Sequence, residues 1–328
     1  MRAVIVNDYG QTAVLGEVPT PRPGPRQLLI RLRTAAVNPI DRSLANGDWR
    51  IMLPGTFPMV LGTDGAGIVE TVGEGTTRFA PGDVVFGQLM IPPIGSTGTY
   101  AEYVAVDEDA PLTRVPDAMD LDVAAALPTI GMTGLAVTDM LAPLQGRTVL
   151  IVGARGGVGS MVTQFAVGAG AHVIAVAPGI AAERMRRYGA AEIIDPTTVS
   201  LPEAVQRAHP DGIDALIDLV SEADRFASLA KLVRPGGSAV TTRFVADVGA
   251  LEAVDVTEIN FVLSASGHLL DRVAEAIGTG HVAPPPITRV PLEEAPAVVN
   301  GTVRGATEVK TVITVRTGIG GARTRRAR

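Results

Sequence analysis

The 328-residue chain has no cysteine. That absence excludes disulfides, thiol nucleophiles and every thiolate metal site, and with them a secreted fold stapled by disulfide bonds. Aromatic residues are scarce, at 4%, with a single tryptophan, Trp49, so Ala, Val, Leu and Ile must fill the cores. Histidine is also rare. The four histidines stand at 172, 209, 268 and 281, none spaced from another as a metal-binding pair. Long apolar runs are missing too: Gly, Pro or a charge interrupts every one well short of the ~18 residues of a membrane helix. The opening MRAVIVNDYG lacks the apolar segment of a signal peptide. The expectation is a protein with no membrane partner, cytoplasmic by default. Basic charge is thin on the body of the chain. The net charge is −6 although four of the last six residues are arginine. Nucleic-acid binding needs clustered Lys and Arg on the fold itself, so no such partner is expected.

What is present points to a globular protein: 46% hydrophobic and 19% charged residues, in a length that favours two domains. Residues 1–121 are rich in short β-branched runs, such as 28–32, 67–72 and 83–86, cut by turn signals such as Pro81-Gly82-Asp83. This is the pattern of a compact, β-rich domain. Residues 122–141 read as one or two helices despite Pro128 and Gly131. A strand–helix alternation follows, with strands at 148–152, 172–177, 192–194, 213–220 and 238–242 and helices at 160–167, 181–188 and 226–232. Such alternation means βαβ units and a parallel sheet covered on both faces. The expected organisation is therefore α/β: a β-rich domain over 1–121, a doubly wound parallel-sheet domain over 122–265, and a return of 266–316, with its strand at 309–315, to the first domain. Residues 317–328 carry no periodic pattern and read as a disordered basic tail.

The strand at 148–152 runs directly into Gly153-Ala154-Arg155-Gly156-Gly157-Val158-Gly159 and then a helix. Glycines in that context let a backbone approach a pyrophosphate, while helix N-terminal N–H groups point at it. A site for NAD normally ends its second strand with an acid that holds the ribose 2′-hydroxyl. Here that position, near Val176, Ala177 and Pro178, has none. Downstream, Arg184, Arg186 and Arg187 either meet a 2′-phosphate or form a solvated charged face. The missing acid favours NADPH.

Several motifs then occur in a fixed order: VNPIDRSLANGDW (37–49), PMVLGTDGAGIVETVGEGTTRFAPGDVVFG (58–87), GTYAEYV (98–104), LPTIGMTGL (127–135), GARGGVGS (153–160), GAAEIID (189–195), VRPGG (233–237) and PLEEAPAV (291–298). Together they resemble the zinc-free quinone oxidoreductase and enoyl-reductase branch of the medium-chain dehydrogenase/reductase superfamily, over about residues 1–316. The resemblance implies a GroES-like β domain, a Rossmann domain and an active site in the cleft between them. It also implies hydride transfer from NADPH to a quinone or an α,β-unsaturated carbonyl. By motif position, Asn38 would approach the nicotinamide and Trp49 would line the substrate mouth, where relatives carry Tyr. Thr133 would lie beside the phosphates. Gly156, Gly157, Val158 and Gly159 would hold the pyrophosphate, Arg184 the 2′-phosphate, and Val220, Thr241 and Thr242 the adenosine and ribose side. Asp41 and Asp64 fall near the cleft, Asp41 equally readable as a turn or cap residue. Zinc-dependent alcohol dehydrogenases share the fold, but this chain lacks their cysteine near Ala36-Val37-Asn38 and has Thr63 where their ligand histidine belongs. No metal is expected in catalysis.

Two further departures from the family are Pro196, where a Tyr is frequent, and Ser221-Glu222, where a glycine pair is usual. A homodimer acting on a small-molecule substrate is the expected form. The competing reading is an NADPH-binding sensor or structural protein with little catalysis.

Overall fold

A ten-residue strand, Gln27–Ala36, organises the first domain, its alternating burial matching the period-two pattern of QLLIRLRTAA. In the computed structural model, which describes residues 1–302 and 310–315, this strand pairs along one edge with Asp64–Val72. Along the other edge it pairs first with Tyr103–Asp107 and then with Lys310–Thr314. Val84–Gln88, Leu112–Arg114 and Ile287–Pro291 complete a seven-stranded sheet. Arg2–Val6, Val14–Glu17 and Met59–Val60 form a smaller antiparallel sheet. Leu28, Ile30, Leu32, Val104, Val106 and Ile313 share the core of this domain. The register sets Ala36 opposite both Asp64 and Val312, so three strand ends converge at one place.

The second domain is a six-stranded, wholly parallel sheet. Its spatial order is Glu192–Ile194, His172–Val176, Thr148–Val152, Ile213–Asp218, Val233–Thr241 and Thr257–Asn260. Alternate residues of its strands enter two separate cores. Val149, Ile151, Val173 and Ile217 face one side, and Leu150, Val152, Ile174 and Leu216 the other. This is the doubly wound architecture expected. Helices Leu121–Ala126 and Pro128–Met140 link the domains; Pro128 sits at the start of the second helix, where its missing N–H costs nothing. Among the described residues no helix is long and apolar enough to cross a membrane.

Some boundaries differ from the reading. The strand at 213 ends at Asp218, not 220, because the Asp218 carboxylate accepts the N–H groups of Val220 and Ser221 and turns the chain. The next strand begins at Val233, ahead of the expected 238, across an irregularity in pairing. The helices Leu201–Ala208 and Gly267–Gly278 and the strand Thr257–Asn260 were not anticipated. The basic tail and Val309, the first residue of the expected last strand, lie outside the described residues.

Candidate active site

The glycine-rich turn is built for a close approach. Gly153 has φ +86°. A Cβ on Gly159 would stand 2.3 Å from the Gly153 carbonyl oxygen and 2.7 Å from Ala154 Cα. Only glycine lets the helix Gly157–Gly168 begin this tightly against the strand before it. Its N-cap is Gly156, which has no side chain to accept the first helical N–H groups. Gly156, Gly157 and Val158 are partly exposed. Unsatisfied donors at a helix start, together with the helix dipole, form a site for an anion.

Other residues selected from sequence gather on the same edge of the sheet. Arg184 donates from its guanidinium to the carbonyl of Arg155, inside the turn, at 2.8 Å. Val220 lies against the turn, since a Cβ on Gly153 would meet its Cγ1 at 2.8 Å. Thr242 donates its N–H to the Asp218 carbonyl at 3.3 Å, and buried Thr241 accepts the N–H of Arg243. Between them, Asp218 Oδ2 and Ser221 Oγ are buried with no hydrogen-bond partner among the described residues. Buried polar atoms left in this way are costly unless something bonds them. The bare helix start, the Gly159–Gly153 packing and the open Asp218 oxygen fit a dinucleotide with phosphates and ribose hydroxyls. One acid is nearby after all: Asp195, just after the third strand, accepts the N–H of Gly179 at 2.7 Å just beyond the second strand.

Asn38 lies elsewhere, in a buried polar network of the first domain. Its amide nitrogen donates to Thr63 Oγ1 at 3.0 Å and to Asp64 Oδ2 at 2.9 Å, while its oxygen accepts from Lys310 Nζ. Lys310 also donates to the Val37 carbonyl at 2.8 Å. Asp41 is the capping residue that the turn reading allowed: it reaches back to the Asn38 N–H at 2.7 Å, holds the Thr63 N–H at 2.9 Å and accepts the Tyr100 hydroxyl. Asp64 takes both the N–H and the hydroxyl of Thr129, at 2.9 and 2.7 Å. Burial pushes the Asp64 carboxyl up to about 6, against the lowering pull of Lys310 and Thr129. Burial likewise raises Asp41 and lowers Lys310, whose charge the two carboxylates help to keep. One ammonium thus balances two buried carboxylates. The amide of Asn38 is held at both ends and is 2% exposed, so it is a fixed part of the buried network and not a mobile donor.

The helix Pro128–Met140 joins this network to the glycine-rich turn. Thr129 at its start bonds Asp64, the next residue Ile130 touches Gly157, and Gly134 packs on Met161 of the facing helix. Thr133 is buried one turn beyond Ile130, within that packing. Trp49 spans the cleft directly. Half-buried against the first-domain core, its ring stands edge-on to Phe244 of the second domain, with centroids 5.1 Å apart. Phe244 follows Thr241 and Thr242 and holds φ +60°, a left-handed backbone that is unusual for a bulky residue.

Lys310, Tyr100, Thr129, Asp218 and Phe244 were not singled out from sequence, and Thr63 was named only as the residue standing where a ligand histidine belongs. Lys310 had a signal in composition: it is one of only two lysines among 28 basic residues. A chain that uses arginine almost everywhere has placed lysine's single compact charge where it meets the Val37 carbonyl and the Asn38 amide oxygen. Asp218, an acid ending the strand Ile213–Asp218 after three apolar residues, was also detectable.

Comparison with known proteins completes the description. The alcohol dehydrogenase GroES-like domain family matches residues 24–117, and the zinc-binding dehydrogenase family matches residues 157–276. A chloroplastic quinone oxidoreductase from Triphysaria versicolor is 34% identical over 67% of this chain and 68% of its own length. An NADPH-dependent alkenal/one oxidoreductase from Arabidopsis thaliana is 30% identical over 87% of this chain and 71% of its own. The solved structure of the quinone oxidoreductase from Coxiella burnetii superposes with TM-score 0.84 at 26% identity, covering 96% of this chain and 99% of that one.

Proposed function

From the chain's membership in the zinc-free, quinone-oxidoreductase-like branch of the medium-chain dehydrogenase/reductase superfamily, we propose that it reduces a quinone or an α,β-unsaturated carbonyl with NADPH. The observation that carries this reading is the uncapped helix start at Gly157, packed through Gly159 onto Gly153, with the open Asp218 oxygen beside it. Gly157 and Val158 would hold the pyrophosphate through backbone N–H groups, with Thr133 packed behind. Arg184 would meet the 2′-phosphate, and Asp218, Val220, Thr241 and Thr242 the ribose and adenosine side. When bound, the cofactor supplies the hydride.

The chain's part is binding, orientation and exclusion of water. Asn38, buried and fixed by Thr63, Asp64 and Lys310, would stiffen the wall beside the reacting ring from behind. Trp49 and Phe244 close the mouth with flat apolar surface suited to a planar conjugated substrate. No metal is needed to hold that substrate: Asn38, Thr63 and the two bonded aspartates form no zinc donor set, and the local cation is Lys310. An indole N–H does not act as an acid, and Asp41 and Asp64 are sealed in hydrogen bonds, so the proton that completes reduction comes from solvent. A homodimer is part of the proposal, since the strand Thr257–Asn260 ends the sheet with an edge that a second copy is able to extend.

Calorimetric titration is expected to find NADPH bound more tightly than NADH. Arg184→Ala should remove about 1.5–3 kcal/mol of NADPH binding and leave NADH unchanged; equal losses for both cofactors would place the arginine away from the 2′-phosphate. Turnover is then sought with quinones, enones and enoyl thioesters. Tight NADPH binding without turnover on any of them would favour the sensor reading.

Trp49 offers a separate test, because all tryptophan fluorescence comes from this one position. Saturating NADPH should quench it, and Phe244→Ala should raise KM for a planar substrate several-fold while NADPH affinity holds. Unchanged fluorescence and unchanged KM would remove the closing role.

A further inference from the structure

Two of the four histidines meet at a single carboxylate. His172 opens the second strand of the parallel sheet, Glu192 opens the neighbouring strand, and His209 follows the helix Leu201–Ala208. His172 Nε2 stands 2.6 Å and His209 Nε2 3.0 Å from the same Glu192 Oε1. One ligand atom from each residue lies within 4.8 Å of the other two. The backbone holds these positions firmly. Ile174 is in register with Glu192, the His172 N–H bonds the Arg147 carbonyl, and the His209 N–H bonds the Val205 carbonyl at 2.7 Å. In a parallel sheet the strand starts lie on the edge opposite the strand ends. The cluster is therefore on the far side of the domain from the glycine-rich turn.

We propose that His172, Glu192 and His209 form a binding site for a divalent transition metal, zinc-like in its preferences, separate from the hydride chemistry. Two imidazole nitrogens and one carboxylate oxygen are a donor set of borderline softness, suited to Zn²⁺ or Co²⁺. Ca²⁺ and Mg²⁺ call for more oxygen ligands than are present. The His172 side chain is 43% exposed, that of Glu192 33% and that of His209 19%. The cluster thus opens on solvent, where water completes the coordination shell. Binding needs each imidazole with Nε2 free of hydrogen, so the ion would take the place of the two hydrogen bonds to Glu192. The bound ion would fasten the second strand, the third strand and the end of the helix Leu201–Ala208 together. It would stabilise this edge of the domain without touching the cofactor.

The test uses the untagged full chain, freed of metal by chelation and titrated with Zn²⁺ or Co²⁺ alone. One ion per chain is expected, with the visible d–d absorption of a low-coordinate Co²⁺ imidazole complex and a higher thermal midpoint with Zn²⁺. His172→Gln and His209→Gln should each weaken Zn²⁺ by about 100-fold or more, since even outer partners of metal ligands are worth 10–100-fold. Glu192→Gln, which keeps shape and hydrogen bonding, guards against misfolding of the histidine variants and should weaken binding similarly. NADPH affinity should be the same in all three and with or without Zn²⁺. No binding at millimolar Zn²⁺ overturns the proposal, as does binding that survives in the three variants. Loss of NADPH affinity on adding Zn²⁺ would also overturn the separation from the cofactor site.

Discussion

Lys310→Met is expected to cost about 3–5 kcal/mol of folding stability at pH 8, the range found when removing one charge leaves a buried opposite charge uncompensated. The lysine is 9% exposed, and the carboxylates it balances, Asp41 and Asp64, are 1% and 0% exposed. Methionine nearly preserves the volume, so the loss is electrostatic, with an open acceptor added on Asn38 and another on Val37. The cost depends on pH in a definite direction. Asp64, raised to about 6 in the folded protein, rises further once Lys310 no longer pulls it down. A raised carboxyl binds its proton more tightly in the folded state than in the unfolded one. Its contribution to stability is therefore present at low pH and lost as pH climbs through the folded value. The deficit of the variant should shrink toward pH 5 and grow toward pH 8. Urea unfolding of both proteins at the two pH values checks this; a deficit below about 1 kcal/mol at both would mean that the pair contributes little.

Gly159→Val should weaken NADPH binding by about 100-fold or more, equivalent to about 3 kcal/mol. Its first side-chain carbon would stand 2.3 Å from the Gly153 oxygen and 2.7 Å from Ala154 Cα, both backbone atoms. No side-chain rotation relieves such a contact. The turn must open, and the helix start moves away from the place where it meets the pyrophosphate. Gly168→Ala is the control, at the far end of the same helix, where an added carbon meets nothing within 4 Å. That change should leave NADPH affinity intact and, if anything, favour the helix. Circular dichroism and cofactor titration of both variants separate loss of the turn from loss of the fold. Affinity within a few-fold of wild type in Gly159→Val would remove the turn from the binding site.

The proposed metal site does not alter what chelation should do to activity. Reduction is expected to survive it, because none of the three ligands lies on the cofactor edge of the sheet.

What the sequence determined by itself was much of what depends on local stereochemistry or on periodicity, though not the helices Leu201–Ala208 and Gly267–Gly278. The largely apolar strands expected at 148–152 and 213–220 called for burial on both faces, so the parallel sheet was legible, the second strand ending at Asp218. The glycines at 153 and 159 are demanded by backbone geometry within a few residues, the first by its positive φ and the second by its contact with the first, so the turn was legible too, as was the absence of the alcohol dehydrogenases' zinc ligands. The tertiary structure decided what depends on register between distant segments. Lys310 reaches Asn38 only because its strand lies antiparallel beside Gln27–Ala36, with Val312 opposite Ala36. His172 and His209 meet at Glu192 only because two strands start side by side and a helix returns to the same edge. Trp49 faces Phe244 only because two domains close on each other. No spacing along the chain encodes these meetings. A strand slipped by one residue turns each side chain to the other face, and the packing of whole sheets sets the register that brought these residues together.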